Sequence, residues 1–160
     1  ITKEFELYKI ALNTRNMEIG LFWQRSNYFL VLNAALAIGF FKITEGHYQI
    51  LLAFFGSLVS LIWFRVNLGS KYWQSRWEER LKLKEKEIAP NINYFNTTDE
   101  IVDDDFKSNI EFGTRKKKKF QKWLDTQVLK RHSVSYNMTL LSIAFLLSWA
   151  FLIITKIVCN

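Results

Sequence analysis

Side chains able to do chemistry are few in this chain and widely scattered. Its two histidines are His47 and His132, and its single cysteine is Cys159. A lone thiol builds neither a disulfide framework nor a cysteine-based zinc site. Asp103, Asp104 and Asp105 form an acidic run, but they lack the alternating ligand order of a calcium loop. No glycine-rich phosphate loop or activated-nucleophile motif occurs. Neither a cofactor nor a metal ligand set is therefore expected, and an enzyme is not expected. Arg115, Lys116, Lys117, Lys118 and Lys119 form a basic run. Such a run near a membrane attracts anionic phospholipid headgroups by about 1 kcal/mol per charge. A nucleic-acid patch is the lesser reading, because no folded nucleic-acid reader accompanies it. Glu18 is three residues from Arg15 and seven from Arg25, so the three share a helix face and read as a structural ion-paired strip.

The elements that would position these groups are read from the distribution of apolar residues. The chain has 160 residues, with 49% hydrophobic types, 16% aromatics and a formal charge of +7. Three apolar blocks stand out: Tyr28 to Ile43, Tyr48 to Val66 and Tyr136 to Val158. Each is close to the ~20 residues a helix needs to cross hydrocarbon, the first being short. The blocks show no continuous polar stripe of the kind that helices of a small soluble bundle keep. The expected fold is an all-α integral membrane protein. It has three transmembrane helices, spanning about 28–43, 48–66 and 136–158, plus an amphipathic N-terminal helix and cytoplasmic helical extensions. The first block follows 27 mostly polar residues without a small-residue cleavage pattern, so it is not a secretory signal. Ile1 is not expected to be a native start.

Aromatic residues gather at the block ends: Trp23, Tyr28, Tyr48, Trp63, Tyr72, Trp73, Trp123 and Tyr136. They read as a membrane-interface belt rather than as base-stacking platforms. Small residues lie four apart within each block, as Ala35 and Gly39, Gly56 and Ser60, and Ala144 and Ser148. This spacing allows close helix packing, within one chain or between copies. Asn33 is the strongly polar side chain at mid-depth. It either bonds a neighbouring helix or lines a wet path. Arg65, at the inner boundary, either snorkels or contributes to an anion-attracting ring in an oligomer.

Charge sets the expected topology. Residues 1–27 hold four basic residues and the stretch from Arg65 to Ser135 holds sixteen, leaving Lys42 and Lys156. A split of 20 to 2 between alternate sides places the N-terminus and the middle segment in the cytoplasm, with the C-terminus outside. Residues 1–27 read as a cytoplasmic or interfacial amphipathic helix, with Phe5, Tyr8 and Leu12 at helical spacing and a possible break at Asn13–Thr14. Residues 28–66 form a transmembrane hairpin turning at Thr44–His47. Residues 67–135 read as a cytoplasmic helix–loop–helix, the first helix stopping at Pro90. Its loop, 91–119, is acidic and then basic, and Ile92–Phe95 and Asn109–Phe112 read either as short strands or as flexible chain. Residues 136–158 are the third span.

Two strings, TRNMEIGLFWQRSNYF (Thr14–Phe29) and WFRVNLGSKYWQSRWEE (Trp63–Glu79), resemble the RipA-like family of small bacterial inner-membrane proteins. The pattern is carried by Arg15, Glu18, Trp23, Arg25, Asn27, Asn67, Gly69, Ser70, Lys71, Trp73 and Trp77. The resemblance implies a homo-octamer in the bacterial cytoplasmic membrane with no assigned enzymatic activity, and it transfers no ligand or catalytic role. The expected function is an oligomeric scaffold or regulator of membrane and envelope processes. The alternative is a homo-oligomeric channel or membrane-disrupting effector. Expected partners are the lipid bilayer, copies of the chain itself, anionic headgroups and an unknown cytoplasmic protein, with no nucleic acid.

Overall fold

The computed structural model describes residues 3–88 and 133–158. They form three helices: α1 over Lys3–Lys42, α2 over Gly46–Ile88 and α3 over Val134–Val158. Leu, Ala, Phe, Ile and Trp dominate these stretches, and the chain's one proline falls beyond α2, so nothing interrupts the hydrogen-bond ladders. Among the described residues no strand occurs. The segments 92–95 and 109–112, the basic run at 115–119 and Trp123 lie outside the described residues, as do His132 and Cys159.

Two sequence expectations change here. The anticipated break at Asn13–Thr14 is absent, and α1 runs unbroken from Lys3 to Lys42. Thr14 lacks the glutamate or glutamine three residues on that would cap a new helix start. Apolar length is the second change. Only α2 and α3 contain a stretch long and apolar enough to cross a membrane. The apolar part of α1 is short and carries Asn33 and Lys42.

The chain divides into two compact units. In the first, residues 3–13 meet residues 76–88, with Ala11, Leu81 and Glu85 buried. A groove of about 450 Å³ opens between Leu7, Ile10, Trp77 and Leu83. The Arg80 guanidinium lies 5.2 Å from the centre of the Trp77 ring, and the Lys9 ammonium lies 4.9 Å from that of Phe5. Lys84 pairs with Glu87 one turn on. The hydrogen bond to Glu87 and its charge hold the Lys84 ammonium above the ordinary lysine range.

The second unit contains residues 14–75 and the described part of α3. In it α2 buries Gln49, Ala53, Gly56, Ser60, Trp63, Asn67, Ser70 and Gln74. The steps alternate four and three, a seven-residue repeat. On α1 the buried residues are Phe22, Ser26, Asn33 and Phe40, and on α3 they are Ser142 and Trp149, which keep the same period. A 3.5-residue repeat on all three helices is the signature of left-handed, knobs-into-holes packing. Phe40, Ala53 and Trp149 form one apolar cluster, with Leu36, Ala37, Phe145, Leu152 and Ile153 packed on it.

The continuity of α1 is directly testable. Asn13 is exposed, so its replacement by proline disturbs the backbone and little packing. In an unbroken helix Asn13→Pro should cost about 3 kcal/mol and lower both the helical circular dichroism and the melting temperature of the detergent-solubilised protein. A chain that broke at this point would tolerate it.

Candidate functional site

Eight polar residues of the 14–75 and 134–158 unit lie inside it. Ser26, Asn33, Gln49, Ser60, Asn67, Ser70, Gln74 and Ser142 are buried, whereas Val31, Phe41, Leu147, Phe151 and Val158 are each more than 60% exposed. This inverts the arrangement of a water-soluble protein, where the apolar surface is what folding hides. It fits a hydrocarbon solvent, in which each polar group must find a partner within the protein.

Asn33 is the centre of the arrangement. Its Oδ1 accepts from Trp149 Nε1 of α3 at 2.9 Å and lies 3.0 Å from Ser60 Oγ of α2. Its Nδ2 donates to the Phe29 carbonyl of its own helix at 2.9 Å. The indole N–H can only donate, which fixes which end of the carboxamide faces α3. The Ser60 hydroxyl proton lies between Asn33 Oδ1 and the Gly56 carbonyl, 2.8 Å away. One fully buried side chain thus ties three helices.

Gly56 makes room for this tie. A Cβ at Gly56 would lie 2.3 Å from Trp149 Cε2 and 2.4 Å from Cδ2, so the indole rests directly on the α2 backbone. Phe40 meets the same indole edge to face at 6.1 Å.

Further polar contacts continue along the stripe. Gln49 Nε2 donates to the Phe40 and Ile43 carbonyls at 3.2 and 2.7 Å. These belong to the end of α1, whose last carbonyls have no partner within their own helix. Asn67 Nδ2 donates to the Met138 carbonyl of α3 at 3.1 Å, and Ser135 Oγ donates to Gln74 Oε1 at 3.2 Å. Arg25 Nη1 donates to Ser70 Oγ at 3.4 Å.

Several sequence expectations are revised by this geometry. Trp63, expected in the interface belt, is fully buried between Phe29 and Phe145, with ring centres 6.0 Å away on either side. Its position at the end of an apolar block coincides with a stripe position, and the stripe decides. The other described belt residues, Trp23, Tyr28, Tyr48, Tyr72, Trp73 and Tyr136, are exposed. The expected absence of a polar stripe is overturned, since α2 carries one. It was hidden because a polar residue every three or four positions barely dilutes an apolar run.

The small-residue pairs separate. Gly56 and Ser60 face α3 and α1 within the chain. A Cβ at Gly39 would lie 3.4 Å from Leu52 Cδ1, while Ala35, Ala144 and Ser148 are exposed. The strip expected between Glu18 and the two arginines does not form ion pairs. Arg15 bonds Asn16 and Arg25 bonds Ser70, leaving Glu18 half-buried without either. Asn33 bonds its neighbouring helices and does not face out of the unit. Arg65, Gly69 and Lys71 are exposed on α2, and Asn27 is exposed on α1. Trp77 is half-buried under Arg80. Among the described residues no three His, Cys, Asp or Glu side chains gather as a metal site would require. Sequence reading passed over Gln49, Gln74 and Trp149; the seven-residue period through Gln49, Gly56, Trp63 and Ser70 is the signal that finds the stripe.

The model of the octameric membrane protein family matches residues 5–158 of the chain. The chain belongs to this family. The match covers all three helices almost end to end, and it meets the expectation raised by the resemblance of the two strings. No curated protein and no solved structure matches the chain. Family membership and the inverted polarity agree that this is a membrane protein.

Two substitutions test the Asn33 tie. Asn33→Leu should lower stability in detergent by about 1–3 kcal/mol, since it leaves the Trp149 and Ser60 donors with less to bond. In a double-mutant cycle, Trp149→Phe should cost clearly less in the Asn33→Leu background than in the wild type. Gly56→Ala should destabilise by about 1–3 kcal/mol despite alanine's better helix propensity, as read by thermal unfolding. A neutral or stabilising outcome would show that the indole does not rest on the α2 backbone.

Proposed function

We propose that the chain is the subunit of a homo-octamer in the bacterial cytoplasmic membrane, acting as a scaffold or regulator of envelope processes without catalysing a reaction. All three helices cross the bilayer, with the N-terminus inside and the C-terminus outside. The observation that carries this reading is the inverted polarity of the 14–75 and 134–158 unit, together with membership of the octameric family. The short apolar part of α1 is supported in lipid because its polar groups are taken up by α2 and α3. The orientation rests on the excess of basic residues in 1–27 and 65–135. Anionic headgroups and a cytoplasmic protein are the expected partners.

The absence of catalysis is argued from chemistry. The polar groups of the stripe that joins the helices are amides, hydroxyls and two indoles, and none of these titrates near neutral pH. A channel or membrane-disrupting effector needs accessible polar groups to line a path, whereas Asn33, Asn67 and Gln74 each bond within the subunit and the unpaired Ser26 Oγ, Gln49 Oε1 and Trp63 Nε1 are enclosed in it. Purified protein in liposomes of bacterial lipid, followed by planar-bilayer recording, tests the choice. The expected result is an octamer by native mass spectrometry and no ionic current across ±150 mV in roughly 0.1–1 M salt, the range where screening varies most. Steady unitary currents would replace the scaffold with the channel.

A further inference from the structure

Two charged side chains, Glu18 and Lys71, and two glycines, Gly20 and Gly69, in the 14–75 and 134–158 unit meet no partner among the described residues. Glu18 is half-buried and forms no hydrogen bond or ion pair among the described residues, and Lys71 is exposed and equally unpaired. The described part of this unit has six lysines and arginines and only two carboxylates. The other carboxylate, Glu45, stands by the α1–α2 turn, 3.5 Å from His47. Glu18 is therefore the one carboxylate at its end of the unit. Gly69 sits inside a 43-residue helix, where glycine costs about 1 kcal/mol relative to alanine. A Cβ at Gly56 would collide with Trp149 and one at Gly39 would make ordinary contact with Leu52, but one at Gly69, as at Gly20 on α1, would meet nothing within 4 Å.

Their placement is specific. Gly69 and Lys71 flank the buried Ser70 in sequence, so at 100° per residue they leave α2 on opposite sides of the stripe. Lys71 is four residues from Asn67, which bonds α3, and so lies on the α3 side. Glu18 is seven residues from Arg25 and shares its face of α1. That face is the flank opposite to Ala37, which packs beside Trp149 of α3. Glu18 and Gly69 thus border the α1–α2 side, and Lys71 borders the α2–α3 side. The pairs Asn33–Ser60 and Arg25–Ser70 set the antiparallel register. Extended by two turns, that register puts Glu18 about 8 Å from Lys71 along the bundle axis, within reach of the two side chains together.

We propose that the α1–α2 face of one copy, bearing Glu18 and Gly69, receives the α2–α3 face of the next, with Glu18 pairing to Lys71 of the neighbouring copy and Gly69 admitting its helix. Because the two faces differ, the contact is head-to-tail, and the octamer of the family requires its rotation to close into a ring. Copies around an axis along the membrane normal share one depth, so the register within a subunit carries over between subunits. The occupant is a second copy because the family is octameric and the unpaired charges are of opposite sign. This inference rests on the oligomeric reading above and specifies the surfaces that make it.

The test uses the whole chain purified in mild detergent, with mass read by native mass spectrometry and helix content by circular dichroism. Glu18→Lys and Lys71→Glu should each lower the octamer fraction about tenfold at fixed concentration, and the combined Glu18→Lys/Lys71→Glu protein should regain it. Gly69→Leu should lose the octamer while keeping its helix content, since the site is open within the subunit. Octamer retained in both single reversals, or not regained in the double exchange, would overturn the pairing. Octamer retained in Gly69→Leu would overturn the close approach. A wild-type protein that forms no octamer would instead sink the oligomeric reading itself.

Discussion

A carboxamide with no water to turn to governs the 14–75 and 134–158 unit. Asn33 sits within an apolar stretch, fully buried, and in hydrocarbon its unbonded amide would cost several kcal/mol. Its oxygen is met by an indole from α3 and a hydroxyl from α2, and its nitrogen by its own helix. Apolar faces in lipid can slide with little penalty, because lipid tails and leucine side chains are interchangeable neighbours. A three-way polar tie cannot slide. It sets the rotation of three helices and the height at which they meet.

Much of the remaining geometry follows from that tie. For the Trp149 indole to reach Asn33 it must pass over α2, and only a glycine at position 56 leaves it space. For α2 to present Ser60 inward, its other inward positions lie at steps of three and four, which selects Gln49, Ala53, Trp63, Asn67, Ser70 and Gln74. Those positions carry small or hydrogen-bonding side chains, and each of the amides among them bonds a neighbouring segment. Gln49 takes the carbonyls at the end of α1, and Asn67 takes one on α3. Trp63 fills the same stripe as a flat aromatic wedge between Phe29 and Phe145. The outward positions are free to be Leu, Ile, Val and Phe, since lipid asks only for apolarity.

The helices and their approximate limits were legible from apolar block length and from the position of Pro90. The family was legible from two strings of residues. What block length could not convey was rotation. Trp63 and Trp73 look alike at the end of a hydrophobic run, yet one is inside and the other outside. Counting apolar residues is blind to which side of a helix they occupy, whereas the seven-residue period of the small and polar residues is not. Asn33 was visible as an anomaly, but its partners were not. Trp149 lies more than 110 positions away and reads as one more apolar residue until its N–H has an acceptor. The break expected at Asn13–Thr14 failed for a simpler reason: asparagine and threonine are only mild helix breakers, and a long helix absorbs them.

The polar groups of the interior are enclosed, which has a consequence for the outside. Asn33, Asn67 and Gln74 are bonded within one copy. Ser26 Oγ, Gln49 Oε1 and Trp63 Nε1, which have no hydrogen-bond partner among the described residues, are buried, so little polar capacity there is open to a partner. Specific recognition must then come from the charges and gaps left on the surface, among them Glu18, Arg65, Gly69 and Lys71. Arg65 projects opposite to the stripe, where the phosphate layer satisfies a guanidinium at small cost. Glu18 has no such recourse, because anionic headgroups repel a carboxylate and its half-buried position keeps bulk water at a distance. A cation supplied by protein is the natural answer, and the unpaired cation at matching depth is a lysine on the other flank of the same subunit. A contact between unlike flanks propagates from copy to copy, and it specifies a ring when the rotation it imposes closes.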